Sequence, residues 1–379
     1  MIGMTVLFNN YGRRPVQLVK GKGTEVWDQH NKRYLDFTSG IAVLSLGHCH
    51  PMLIEALQKQ SEQLWHVSNL FESAEQEALA KKLVANTHLS HALFCNSGAE
   101  ANEAAIKLAR KHSGRHHVIT FEKSFHGRTY ATMAATGQDK VKEGFGPLLG
   151  KFTTIPFNDC EALKAVADER IGAIMLEVIQ GEGGVNAVTP EFANTIQEVC
   201  DEYQILLIID EVQTGIVRTG TPYAFQQTTL KPDIISLAKG LGGGFPIGAV
   251  LATAAFYDTF GPGSHGTTFG GNPLAIAVAT AVIDHVFKPT FMAQVQHQSI
   301  YFKQALQQQL PERYQVVGQG LLLGIDCGEP IAASYVKKAE ENGLLLVQAG
   351  PNVIRLLPPL TVSQSEINEA VTILKGILT

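Results

Sequence analysis

Between His91 and Ala252 one pattern recurs six times: a run of consecutive apolar residues, then a stretch with helical spacing. The runs are His91-Ala-Leu-Phe-Cys95, His117-Val-Ile-Thr-Phe121, Ala173-Ile-Met-Leu-Glu177, Ile205-Leu-Leu-Ile-Ile209, Ile234-Ile-Ser-Leu-Ala238 and Ile247-Gly-Ala-Val-Leu-Ala252. A strand with water on one face alternates apolar and polar side chains. Runs that are apolar at successive positions therefore belong to strands covered on both faces. With helices between them, such strands form a mostly parallel sheet in an α/β fold. Ligands in these sheets sit beyond the carboxyl ends of the strands, so the polar residues after each run are where chemistry is expected.

The flanks read differently. Val16-Gln-Leu-Val-Lys-Gly, Glu25-Val-Trp-Asp and Arg33-Tyr-Leu-Asp-Phe look like short strands joined by polar turns. A long helix is expected from about Leu274 to Phe287, then a second helix, then mixed strands and helices. This predicts a large domain over residues 48–275 and a smaller α+β domain over 276–379, joined by the amino-terminal segment 1–47.

Apolar residues make up 45% of the chain and charged ones 17%, a globular composition that excludes disorder. The net charge of −5, without a basic stripe, argues against nucleic acid and anionic membranes as partners. No apolar run approaches the ~20 residues that span a bilayer, and Met1 to Lys20 lacks the marks of a secretion signal. The five cysteines are scattered without a Cys-x-x-Cys, which predicts reduced thiols and a cytoplasmic protein. No metal site is expected: His48-Cys49-His50, His88/His91 and His116-His117 each lack a full ligand set.

Several strand ends carry chemistry. After Cys95, Ser97 and Glu100 make a Ser-x-x-Glu capping box, followed by an apolar helical face at Ala101, Ala104, Ala105 and Leu108. By itself this is a capped helix. It also presents free N–H groups and a positive dipole end to an anion such as phosphate. Asp210 ends the most apolar run, and a buried carboxylate there needs a cation or a metal. Ile-Ile-Asp-Glu resembles a magnesium-binding Walker B strand, but the phosphate loop that such an ATPase requires is absent. The other reading pairs Asp210 with a protonated heterocyclic nitrogen, as in enzymes that use pyridoxal phosphate.

Lys239 separates the two readings. It follows an apolar run and precedes Gly240-Leu-Gly-Gly-Gly, a setting in which a desolvated amine becomes nucleophilic while glycines let backbone approach a ring. In Phe125-His-Gly-Arg128, the aromatic can stack on a flat cofactor and the arginine can grip a carboxylate. Arg355, inside an apolar strand, is either a second carboxylate clamp or a half-exposed arginine on an edge strand. Glu182, flanked by glycines, is able to pair with one of the two arginines.

Together these motifs resemble the class III (ω-amino acid) aminotransferases of pyridoxal phosphate fold type I, and within that class the acetylornithine subgroup. The resemblance runs from Trp27-Asp28 to Arg355-Leu-Leu-Pro-Pro-Leu360. It includes Asn96-Ser-Gly-Ala-Glu-Ala-Asn102, Phe125-His-Gly-Arg128, Asp210-Glu-Val-Gln-Thr-Gly215, Lys239-Gly and Thr267-Thr-Phe-Gly-Gly-Asn-Pro-Leu274. It implies a large domain built on a seven-stranded, mostly parallel sheet. Pyridoxal 5'-phosphate would be held by Lys239 as a Schiff base, with Asp210 on the ring nitrogen, Gln213 on the ring hydroxyl and Phe125 stacked on the ring. Ser97, Gly98 and Ala99 would hold the phosphate, and Thr268 would reach the phosphate of a second subunit, making a homodimer with shared sites.

The resemblance also implies N2-acetylornithine as donor and 2-oxoglutarate as acceptor, glutamate being the product. Arg128 would take the donor's α-carboxylate and Arg355 that of 2-oxoglutarate, with Glu182 masking Arg355 while the amine is bound. Thr267 would lie near the substrate; serine is commoner there, as is tyrosine at Phe269. Ile41 stands where ornithine enzymes carry a tyrosine, and an apolar side chain suits an acylated amine.

Overall fold

The computed structural model describes residues 6–379 apart from Asn86, so residues 1–5 of the amino-terminal segment lie outside the described residues. Three strands come first, β1 (Leu18–Lys22), β2 (Glu25–Asp28) and β3 (Arg33–Asp36), paired antiparallel in sequence order. There follow β4 (His91–Cys95), β5 (His117–Phe121), β6 (Phe152–Ile155) and β7 (Ile171–Leu176). A small hairpin, β8 (Ile179–Gln180) and β9 (Asn186–Ala187), precedes β10 (Leu206–Asp210), β11 (Ile234–Leu237) and β12 (Gly248–Ala252). The last are β13 (Gln315–Gln319), β14 (Leu322–Asp326), β15 (Leu344–Leu345), β16 (Val347–Ala349) and β17 (Val353–Leu356).

All six apolar runs become strands of one seven-stranded sheet, ordered β4-β12-β11-β10-β7-β5-β6. Only β12 runs against its neighbours. Every residue of β7, β11 and β12 is buried, as consecutive apolar positions demand when helices cover both faces. The seventh strand, β6, leaves no such mark. It lies at the sheet edge, paired with β5 alone, and its Phe-Thr-Thr-Ile sequence is only partly buried.

The helix Gly98–Ser113 packs on this sheet through buried Ala101, Ala104, Ala105 and Leu108, the face read from its spacing. Its cap differs from expectation in one detail. Ser97 Oγ accepts the Glu100 N–H at 3.2 Å, but the Glu100 carboxylate turns back to the N–H of Asn96, at 2.5 Å, instead of that of Ser97.

The beginning of the chain shares a sheet with its end: β3 pairs in parallel with β15, Leu35 facing Leu344. Beside it lies an antiparallel sheet ordered β13-β14-β17-β16. Arg355 lies on β17, which is interior to that sheet, and is 1% exposed. The edge-strand reading of Arg355 is therefore wrong. The two long helices expected in this part are Pro273–Val286 and Pro289–Gln309. Among the described residues no single helix is long and apolar enough to cross a membrane.

Candidate active site

The carboxyl ends of β4, β5, β7, β10 and β11 open onto a cavity of about 420 Å³. Its wall includes Ser97, Gly98, Ala99, Phe125, Arg128, Glu182, Asp210, Gln213 and Lys239, which brings nine of the residues named from sequence into one place. Chain direction explains the convergence: five strands that point the same way, four of them adjacent and β4 set apart by the antiparallel β12, deliver their following loops to one edge.

Asp210, the last residue of β10, is 3% exposed and is hydrogen-bonded at both carboxylate oxygens. Oδ2 accepts from His126 Nδ1 and from Asn102 Nδ2, each at 2.8 Å, and Oδ1 accepts the Val212 N–H at 3.0 Å. Asn102 is fixed in turn by Ser236 Oγ at 2.5 Å and donates to the His126 carbonyl at 2.8 Å. The partner of Asp210 is thus an imidazole. Burial works against charge on His126, yet the hydrogen bond and charge of Asp210, with the charge of Glu177, hold its pKa above the ordinary 6.5. Oδ1, with one backbone donor, keeps capacity for a further donor.

Glu177, just past β7, is fully enclosed. Burial and then the Asp210 charge push its carboxyl up, against His126 and the N–H groups of Phe125 and Gly181. Those two N–H groups reach it at 3.0 and 3.2 Å, so one carboxylate ties the loop of Phe125 to the loop of Glu182.

Lys239 leaves β11 with φ +43°, a conformation rare for a side-chain-bearing residue and typical of over-determined functional sites. The turn is held by Ser45 Oγ, which donates to the Gly240 carbonyl at 3.1 Å. Burial pushes the Lys239 ammonium down from its ordinary range; Arg355 adds to this, while Glu182, Asp210 and Glu177 oppose it. Among the described residues it forms no ion pair, with Asp210 or any other acid.

Arg355 Nη1 meets Glu182 Oε1 at 2.6 Å, and it also donates to the Gly181 carbonyl at 2.9 Å and to Gln213 Oε1 at 3.0 Å. Burial would raise Glu182, but the charge and hydrogen bond of Arg355, with Lys239 and Gln213, bring it below the usual carboxylate range. Gln213, expected on the ring hydroxyl, thus engages Arg355 through its oxygen and keeps Nε2 with only a 3.5 Å contact to Glu182. Arg128 is exposed, its guanidinium 5.6 Å from the centre of the Phe125 ring.

Glu182 is also part of the wall of a second cavity, of about 630 Å³, together with Arg14, Ile41, Val336, Val347 and Arg355. Ile41 gets there through a left-handed turn: Ser39, Gly40, Ile41 and Ala42 have φ of 45°, 63°, 67° and 61°. The turn is anchored by the Asp36 carboxylate, which accepts the N–H groups of Thr38 and Ser39 at 2.9 and 3.1 Å and lies 2.8 Å from His48 Nε2.

Thr267 and Thr268 are not brought to either cavity. Thr268 is exposed and forms a separate depression with His66, Ser68, Gly266 and Thr267. Thr267 Oγ1 does accept from Asn96 Nδ2, at 3.1 Å, and Asn96 belongs to the main cavity. Sequence reasoning assigned nothing to Asn102, His126 or Glu177, although the first two sit inside quoted motifs and the third ends an apolar run. A polar residue at a position the helix or strand buries was the only signal.

Residues 8–378 match the family described as aminotransferase class-III. The chain is also 54% identical over 375 residues to the acetylornithine aminotransferase of Bacillus subtilis (strain 168), covering 98% of this chain and 97% of that one. The chain belongs to the class-III aminotransferases. Among solved structures, the N-acetylornithine aminotransferase from Stenotrophomonas maltophilia K279a superposes with a TM-score of 0.83 at 37% identity, covering 97% and 96% of the two chains. The ornithine aminotransferase from Toxoplasma gondii ME49 gives 0.92 at 33%, covering 98% and 92%.

The protein is accordingly an aminotransferase that uses pyridoxal 5'-phosphate and acts on small molecules. Its own residues fit that cofactor. The helix start at Gly98 offers an anion site, and Gly98 is required there because a Cβ would come within 2.8 Å of Val212 Cγ1. An acid, an aromatic and an amine line the same cavity.

Proposed function

We propose that the enzyme moves the terminal amine of N2-acetylornithine to 2-oxoglutarate by a ping-pong sequence, yielding N-acetylglutamate 5-semialdehyde and glutamate as a step of arginine synthesis in the cytoplasm. The observation that carries this reading is the Arg355–Glu182 pair at the junction of the two cavities. An enzyme that alternates between an ω-amine and a dicarboxylate needs one guanidinium that can be offered or withheld. A 2.6 Å ion pair beside the reacting centre does both, because Glu182 is partly exposed and its partner is not.

When bound, pyridoxal phosphate supplies an electron sink for charge that develops on the substrate carbon. Lys239 anchors the cofactor through Nζ and then carries the proton to and from that carbon; burial readies the amine for both tasks. Asp210, locked by His126 and Asn102, holds a proton on the ring nitrogen. Phe125 would pack against the cofactor's ring, Gln213 Nε2 would be the donor for its hydroxyl, and Ser97, Gly98 and Ala99 would hold its phosphate. Arg128, at the cavity mouth, takes the donor's α-carboxylate, and Arg355 that of 2-oxoglutarate. The apolar Ile41 in the second cavity favours an acylated amine over a free one.

Two further features support a homodimer with shared sites. Thr268 faces outward, away from its own cavity, and exposed Leu64, Trp65, Leu70, Phe71 and Phe269 lie on nearby segments. All five cysteines are free, in keeping with the cytoplasm.

The test follows the visible absorption band of the purified holoenzyme. The band is expected to disappear on adding acetylornithine and to return with 2-oxoglutarate. A band that answers faster to ornithine, succinylornithine or 4-aminobutyrate would replace the donor. Removing the mask gives an independent check. Glu182→Ala is expected to shift the ratio of kcat/KM values toward glutamate over acetylornithine by about tenfold or more, since Arg355 then stays open. An unchanged ratio would remove Glu182 from the selection of substrates.

A further inference from the structure

Arg218 is 2% exposed, yet among the described residues it has no acidic partner. It stands in the loop after β10 that also carries Gln213, and two β-branched residues before it, Ile216 and Val217, are held at φ of 54° and 66°. Such strain persists only where surrounding contacts over-determine the backbone. The contacts here are to the end of the β14–β17 pair. Leu323 faces Leu356, so two residues further along Leu321 faces Pro358. Proline has no N–H, and the ladder cannot continue at that step.

Arg218 replaces the missing rung. Its carbonyl accepts the Leu321 N–H at 2.9 Å, and its Nη1 donates to the carbonyls of Leu321 at 3.1 Å and Pro358 at 2.6 Å. Gly320 permits this approach, since a Cβ there would lie 2.4 Å from Thr219 Cα. Pro358 is three residues beyond Arg355 on the same segment. The loop after β10 thus holds Arg355 twice: at its guanidinium through Gln213 Oε1, and at the end of its strand through Arg218.

We propose that Arg218 is a positioning residue that sets the reach of Arg355 toward the acceptor's carboxylate, and so tunes dicarboxylate recognition without touching substrate. The inference rests on Arg355 being the acceptor clamp. Arg218→Lys keeps the charge, but its side chain is one bond shorter than the arm that carries Nη1, the single nitrogen serving both carbonyls; Arg218→Met keeps bulk and leaves both without that donor. In the holoenzyme, each is expected to raise the KM for 2-oxoglutarate, and the calorimetric Kd for unreactive glutarate, about tenfold. The KM for acetylornithine should move less than twofold, because that substrate engages Arg128.

If Arg218→Met does not fold, Arg218→Lys carries the measurement. Equal changes in both KM values, or no change in either, would reduce Arg218 to a structural staple and overturn the proposal. Arg355→Lys is run alongside. If it leaves glutarate binding intact, the assignment of Arg355 fails and the inference falls with it. If it weakens glutarate while the Arg218 variants do not, only the inference fails.

Discussion

Lys239→Ala is expected to lower kcat/KM by at least about 10⁴-fold, since one side chain supplies both the nucleophile and the proton carrier, and each role alone is worth roughly 10²–10⁴. Among the described residues no other lysine lines the cavity to substitute for it. The strained backbone at φ +43° aims this amine and no other into the site. Pyridoxal phosphate should still bind, because the helix start at Gly98, the ring of Phe125 and the Asp210 carboxylate are untouched. Equilibrium dialysis with the cofactor, run beside steady-state rates, separates the two effects. Activity within a hundredfold of the parent would mean that Lys239 is not the reacting amine.

Asp210→Asn should have the next largest effect, a fall of about 10²–10³-fold in kcat with cofactor saturating. The amide keeps the shape of the carboxylate but not its charge, and an amide nitrogen directed at Oδ2's neighbours meets two donors, His126 Nδ1 and Asn102 Nδ2. Unbalancing a buried, charge-assisted network of this kind costs roughly 3–4 kcal/mol, which corresponds to that range of rate. The loss should fall on kcat, because the carboxylate acts when charge develops in the ring and makes no contact with the substrate's distal end. A kcat within threefold of the parent, with the cofactor retained, would show that the buried acid does not control the chemistry.

The large sheet was legible because burial on both faces writes itself into consecutive residues. The exception, β6, shows the limit: an edge strand with two central threonines carries no such mark. Lys239 and Asp210 could be singled out for the same reason, as polar residues ending otherwise apolar runs. The surroundings that make Asp210 work could not. His126 and Asn102 are 84 and 108 residues away in sequence, and nothing near either one announces its partner. Arg355 shows the converse. Its place in an apolar stretch was plain, but interior and edge strands differ in which strands lie alongside, and β14 and β16 flank β17 only in the folded sheet.

What the sequence by itself determined, then, is set by short-range physics: which segments are strands covered on both faces, where a helix begins, and which reactive groups stand at strand ends. Resemblance supplied the family and the expected cofactor. Only the tertiary structure decided which of these groups meet. It set the Glu182–Arg355 pair, which the resemblance had implied, at 2.6 Å, gave Asp210 an imidazole that nothing in the sequence announced, left Thr268 exposed outside the main cavity, and set Arg218 where a proline interrupts a ladder. The reason is physical. A hydrogen bond or ion pair acts over a few ångströms of space, while its two ends are placed by separate strands whose positions depend on the packing of the whole chain.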